Sequence, residues 1–229
     1  MQPCAMGRNV VRLALLGAFL YSARRFYRNW GATKEECKAV LPGDELVRNP
    51  AVQTTEAVSI NASAKSVWPW LVQIGQDRGG LYSFESLENL LGLRFHNADR
   101  LHPEWQQLNV GDVVRLAPKG WLGLRNGIAL GVVDVVPTER IVLRASSPEL
   151  PWDAVWSFHL LPHWEDRARL LARLRTGIRH PGEVMAAELA GPATALLTRG
   201  ILRGIKRRVE ASPHDRRENS PSAEHHHVR

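Results

Sequence analysis

The sequence predicts an α+β domain in which an antiparallel sheet of six strands is covered by one long C-terminal helix, with two short helices after the first strand. Three observations predict it. From Val110 onward the apolar residues recur with a period of two in five successive segments. The connections between those segments are short and rich in turn residues, which forces neighbours to run antiparallel. Glu183 to Ala211 then reads as helical, and a sheet with one apolar face needs such an element laid over it.

Taken in order, residues 1–29 form a basic and apolar N-terminal segment. Leu13 to Ala23 is an uncharged apolar run between Arg12 and Arg24. As a helix it reaches roughly 16 Å, about half of a ~30 Å hydrocarbon core, so it suits an interfacial or packed helix better than a span. Attachment to a membrane through residues 9–28 of a cytoplasmic protein is the expectation. Residues 30–52 form a connector: Thr33 with Glu36 three positions on has the capping-box pattern, and Leu41-Pro42-Gly43 ends that helix. Residues 53–211 form the main domain, and residues 212–229, without apolar runs, form a disordered tail.

Within the domain, Glu56 to Asn61 alternates as a first strand. Ser63 caps a helix over Ala64 to Ile74 carrying Trp68, Trp70, Leu71 and Ile74, with Pro69 near its start. GQDRGG then turns the chain, and Ser83 caps a second short helix with Phe84, Leu87, Leu90 and Leu91 on one side. Val110 to Leu116, Ile128 to Val136, Arg140 to Ala145, Ala154 to Pro162 and Arg167 to Ile178 are the remaining strands. In the last, Ala168, Leu170, Ala172 and Leu174 alternate with Arg169, Leu171, Arg173 and Arg175, which predicts one buried and one mainly arginine, solvated face. Gly191-Pro192 is expected to break the final helix. Beyond it, Leu197, Ile201, Leu202, Ile205 and Val209 share a side opposite Arg199, Arg203, Lys206 and Arg207.

The net charge of +7 is concentrated at the ends. Arg8, Arg12, Arg24, Arg25 and Arg28 precede residue 30, Arg199, Arg203, Lys206, Arg207 and Arg208 lie near the C-terminus, and neither group contains an acid. These charges exceed the whole surplus, so the body is slightly acidic. That distribution argues against nucleic acid, which selects basic and aromatic residues across one folded face, and suits an anionic membrane surface. Cys4 and Cys37 are too few for a disulfide framework, and no metal or cofactor is called for by spacing. Neither a phosphate-binding glycine loop nor a G-x-S-x-G elbow occurs.

Three stretches carry a family resemblance: WGATKEECKAVLPGDELV (Trp30 to Val47), WPWLVQIGQDRGGLYSFESLENLLG up to Gly92, and HNADRLHPEWQQLNVGDVV (His96 to Val114). Together they resemble an uncharacterised bacterial subgroup of the SRPBCC superfamily, which includes START lipid-binding domains, aromatic polyketide cyclases and the birch-pollen-allergen family. The resemblance spans about Trp30 to Glu210 and carries no assigned reaction. It implies the helix-grip arrangement, a curved sheet around the C-terminal helix with a cavity between them. A small hydrophobic guest, such as a lipid, isoprenoid or aromatic polyketide, is the implied partner.

The candidate residues follow from this placement. On the rim of the first helix pair stand Trp70, Asp77, Arg78 and Tyr82; Arg78 either holds an anionic head group or pairs with Asp77 or Glu88. The loop His96 to Gln107 gathers His96, Asp99, His102, Glu104 and Trp105, where Asp99, His102 and Glu104 are the candidates for acid and base work and hydrogen bonding within the loop is the plainer role. His159 is an isolated histidine on the fifth strand. Binding of a hydrophobic ligand is the leading expectation; a cyclase or hydratase acting on such a ligand, and a membrane-peripheral structural protein, are the alternatives.

Overall fold

Six strands form one antiparallel sheet: β1 (Val52–Ile60), β2 (Val113–Ala117), β3 (Ile128–Val136), β4 (Arg140–Ala145), β5 (Trp152–Pro162) and β6 (Ala168–Ile178). The order across the sheet is β1-β6-β5-β4-β3-β2, so β2 to β6 are a meander and β1 closes on β6. The structure is a computed structural model and describes residues 28–145, 152–164, 166–178 and 183–212, with Arg12, Leu15 and Arg24 before them. The expected apolar run Leu13 to Ala23, Leu15 excepted, and the tail from residue 213 onward lie outside the described residues. Among the described residues no helix is long and apolar enough to cross a membrane.

Among the described residues the sheet is accompanied by helices α1 (Lys34–Lys38), α2 (Ala64–Val72), α3 (Glu85–Leu90) and α4 (Glu183–Ala211). The capping box of α1 is present, with Glu36 N donating to Thr33 Oγ1 at 3.1 Å and Thr33 N to Glu36 Oε2 at 2.7 Å. Ser63 caps α2, its hydroxyl accepting from Ser66 N at 3.2 Å. Ser83 does not cap α3 in this way; its hydroxyl donates to the Glu88 carboxylate. The strand β2 starts at Val113 because residues 109–112 form a turn in which Asp112 N donates to Asn109 O at 3.1 Å and Gly111 has φ 97°. Register shifts at Arg115/Ala117 and Val132/Asp134 bend the β2-β3-β4 side of the sheet.

The break expected at Gly191-Pro192 does not occur: α4 runs continuously through Pro192. A proline costs one rung of the helical ladder, whereas Ile201, Leu202, Ile205 and Val209 are each at most 1% exposed beneath it, and that burial outweighs the local defect. Two glycines let α4 approach the turn after α2 closely. A Cβ at Gly204 would stand 1.9 Å from Tyr82 O, and one at Gly200 2.6 Å from Ser83 Cβ.

Both faces of the sheet centre are buried. Trp156, Phe158, Leu160, Leu170, Ala172 and Ile60 point toward α4. On the outer face the expected solvated arginines are covered by the connector. Arg173, 1% exposed, donates to Thr55 Oγ1 (3.1 Å), Ala39 O (2.6 Å), Asp44 Oδ2 (2.7 Å) and Glu36 O (2.6 Å). Arg169 forks onto both oxygens of Glu36 at 2.8 Å, and Arg175 donates to Val47 O at 3.0 Å. This arginine row fastens residues 30–48 across the back of the sheet, since a buried guanidinium is tolerated only when its donors are matched.

Replacing Gly204 with alanine drives a Cβ into the Tyr82 carbonyl, which is backbone and has little room to retreat. Urea unfolding of Gly204→Ala should show a loss of about 2 kcal/mol or more, the scale of overpacking in a tight core.

Candidate functional site: the interior beneath the C-terminal helix

Cross-strand register builds the site. On the face toward α4, Glu56 of β1 lies opposite Ala172 of β6, which lies opposite Phe158 of β5; the next row is Thr54, Leu174 and Trp156. Glu56 shares its face with Val58 and Ile60 and is 1% exposed. Neither of its oxygens accepts a hydrogen bond from a described residue, and Arg199 of α4 stands beside it with Nε at 3.8 Å. The Arg199 guanidinium also lies over the Trp30 ring, 5.5 Å from its centroid. Trp156, 5% exposed, packs against Phe158 at 4.8 Å between ring centroids, and its buried indole N–H has no acceptor among the described residues. Glu56 and Trp156 are two strands and two residues apart, about 12 Å along the diagonal.

Such unpartnered buried polar atoms are uncommon, because each carries a desolvation cost of about 1–3 kcal/mol. Burial pushes the Glu56 carboxyl up to about 8, with the Arg199 charge pulling the other way. The group therefore holds a proton at neutral pH and can donate it in a hydrogen bond. On the far side of Phe158 there is a cavity of about 10 Å³ lined by Leu71, Val72, Ile74, Leu108, Val114, Ile141, Leu143 and Phe158. It holds at most one water and is too small for a lipid or a polyketide.

The residues singled out from the sequence fall into separate places. Tyr82 and Trp70 form the packing between the lid turn and α2: Tyr82 is fully buried at φ 58°, its hydroxyl donates to Trp70 O at 3.1 Å, and the rings meet edge to face at 5.8 Å. Burial pushes the Tyr82 phenol up. Arg78 pairs with neither Asp77 nor Glu88; it donates to Trp105 O and to Gln107 O, the latter at 2.8 Å, and so pins the loop. Asp77 is instead bound to Arg115 at 3.1 Å.

The loop from His96 to Glu104 does not converge. His96 is exposed and near Glu85 at 3.4 Å, Asp99 is exposed, and His102 Nδ1 meets Glu104 Oε1 at 3.2 Å while its ring packs on Trp105 at 4.2 Å. Hydrogen bonds to His102 and backbone hold the Glu104 carboxyl below its ordinary range. None of these groups reaches the interior, and no three histidine, cysteine, aspartate or glutamate side chains among the described residues gather in a metal-holding group. His159 is buried on the outer face beneath the connector, with Nε2 2.9 Å from Ser157 Oγ, and burial with Arg173 nearby drives it down to about 4. The basic side of α4 is also occupied: Arg203 lies over Trp30 at 4.7 Å, Arg208 over Tyr82 at 4.7 Å, and Lys206 donates to Ser59 O at 2.7 Å.

A six-stranded antiparallel sheet with a C-terminal helix laid along its inner face, and two short helices between its first and second strands, defines a helix-grip domain. Solved structures similar to the chain include a conserved protein of Geobacillus kaustophilus (15% identity, TM-score 0.42, covering 69% of this chain and 95% of that one). Norcoclaurine synthase of Thalictrum flavum is similar at 15% identity and TM-score 0.42, covering 70% and 87%. A protein of the dynemicin biosynthetic locus is similar at 17% identity and TM-score 0.42, covering 69% of this chain and 47% of that one. Likeness at this level adds nothing to the argument from topology. No protein-family model matches the chain, and comparison with curated proteins gives no match.

Glu56 carries a pH signature. Its folded value of about 8 lies above the ordinary 4.5, so between those limits the folded chain keeps a proton that the unfolded chain releases. Its contribution is therefore complete below about pH 4.5 and is lost as pH rises through 8. Melting curves should show the wild type losing more stability than Glu56→Gln between about pH 5 and about pH 9.

Proposed function

We propose that the chain binds a small, largely apolar guest between the sheet and α4, with the Glu56 carboxyl and the Trp156 indole as its polar anchors. The observation that carries this reading is the pair of buried, unpartnered polar groups on an otherwise apolar face. A purely structural interior gains nothing from them, whereas a guest with a polar atom at each end, spaced to the two groups, satisfies both. Phe158, which ends the Glu56 row, also lines the small cavity, so its displacement extends that cavity toward Glu56. The cavity beside Phe158 has no room for a guest of this size. Binding is therefore an opening of the contact between α4 and the lid turn, and the guest supplies the free energy.

A catalytic role has one specific support. A carboxyl that retains its proton at neutral pH can protonate an enol or polarise a carbonyl, which assigns cyclase-like acid chemistry to buried Glu56 and not to the exposed Asp99 and Glu104 or the half-buried His102.

The test uses 1-aminoanthracene, a neutral aromatic amine of about the right length. Fluorescence titration should saturate at one probe per chain. The single amine of the probe can meet only one anchor, the Glu56 carboxyl, so Glu56→Leu should weaken binding roughly 5- to 100-fold, the cost of one lost buried hydrogen bond. Absence of saturable binding, or equal affinity in Glu56→Leu and the wild type, contradicts the reading.

A further inference from the structure

Two acid-free segments meet at the end of the domain where β2 gives way to β3. Residues 89–98 run from the last turn of α3 into the loop beyond it, and residues 116–127 run from the end of β2 to the start of β3. Between them they carry three large apolar side chains directed into solvent: Leu90 is 83% exposed, Leu91 59% and Leu122 79%. Leu90 and Leu91, which the sequence places on one side of the helix with Phe84 and Leu87, thus face solvent. The segments are joined by Trp121, whose indole N–H donates to Leu91 O at 2.9 Å while its half-exposed ring borders Gly92.

Leu122 is held at the tip of its loop with φ 49°, ψ 30°. That left-handed backbone is unfavourable for leucine, and an exposed side chain there gains no burial in return. Around these residues stand three exposed cations, Arg94, Lys119 and Arg125. The nearby acids are already engaged: Glu88 is buried and bound by Ser83, Glu85 accepts from Asn97 N at 2.9 Å, and Asp77 is bound to Arg115.

We infer that this end of the domain is a docking surface for an anionic lipid bilayer, with Leu90, Leu91 and Leu122 entering the headgroup region and Arg94, Lys119 and Arg125 meeting lipid phosphates. Protruding leucines beside a half-exposed tryptophan and unopposed cations match the layered chemistry of such an interface, apolar below and anionic above. A protein partner would need a groove to receive the protrusions, whereas a bilayer deforms around them. This surface is built from other residues than the basic side of α4, and it does not depend on the interior binding a guest.

The test places an environment-sensitive nitrobenzoxadiazole label at residue 122 (Leu122→Cys) in the full chain with Cys4→Ser and Cys37→Ser. A second chain carries the label at Leu161 (Leu161→Cys), on the β5–β6 hairpin. With phosphatidylcholine vesicles containing phosphatidylglycerol, the label at 122 should shift to shorter wavelength and be quenched by brominated lipid, while that at 161 stays in water. In unlabelled, otherwise native chains, Lys119→Glu with Arg125→Glu should weaken cosedimentation about fivefold for each cation reversed, and Leu122→Asp roughly tenfold. The inference is overturned if the chain binds vesicles while the label at 122 remains in water, which places the contact elsewhere, as at residues 9–28. It is equally overturned if neutral and anionic vesicles bind alike, or if neither binds.

Discussion

The contact between Tyr82 and the glycine notch of α4 is the constraint on which the closed interior depends. Gly200 and Gly204 remove two side chains from the helix, so the lid turn can lie directly on its backbone. Tyr82 is held there from several sides: its backbone N–H donates to Asn97 Oδ1 at 2.6 Å, its hydroxyl reaches Trp70 O, and Arg208 covers its ring. Arg208 in turn donates to Ala98 O at 2.7 Å, which ties the loop after α3 to the same helix. Lid, loop and helix are therefore fastened to one another in the closed form, and opening the contact between α4 and the lid turn means giving up these interactions.

The two sides of the sheet handle buried charge differently, and the contrast points to the site. On the outer face Arg173 has its donors matched by two carbonyls, a threonine hydroxyl and Asp44. This is the arrangement by which a buried ion pair is tolerated, with Coulomb attraction and hydrogen bonds together offsetting desolvation. On the inner face Glu56 has a single cation at 3.8 Å and no hydrogen bond among the described residues, so it lowers its cost by keeping a proton.

Much of the architecture was legible in the sequence because sheet and helix periodicity depend on local spacing alone. β3 and β4 fall at the expected residues, and the other strands differ only at their ends. What escaped was non-local. The arginines of β6 read as a solvated face because charged residues are seldom buried unpaired, and the partner of Arg173, Asp44, lies 129 residues away. Pro192 reads as a helix break, but packing beneath α4 overrides the local rule. The histidines and acids between His96 and Glu104 cluster in sequence and not in space, since a loop can point adjacent side chains in opposite directions. Glu56 had a usable signal: it stands two and four positions before Val58 and Ile60, and that parity places it on the inner face.

The most direct test of a guest held at this site is the indole N–H resonance of Trp156 in a proton–nitrogen NMR titration with 1-aminoanthracene. A guest seated between β1, β5 and α4 should move that resonance saturably, with the amides flanking Glu56 following the same curve. If the Trp156 signal stays fixed while only the amides around Leu90 and Leu122 respond, the probe has met the surface alone, and the interior is a structural core.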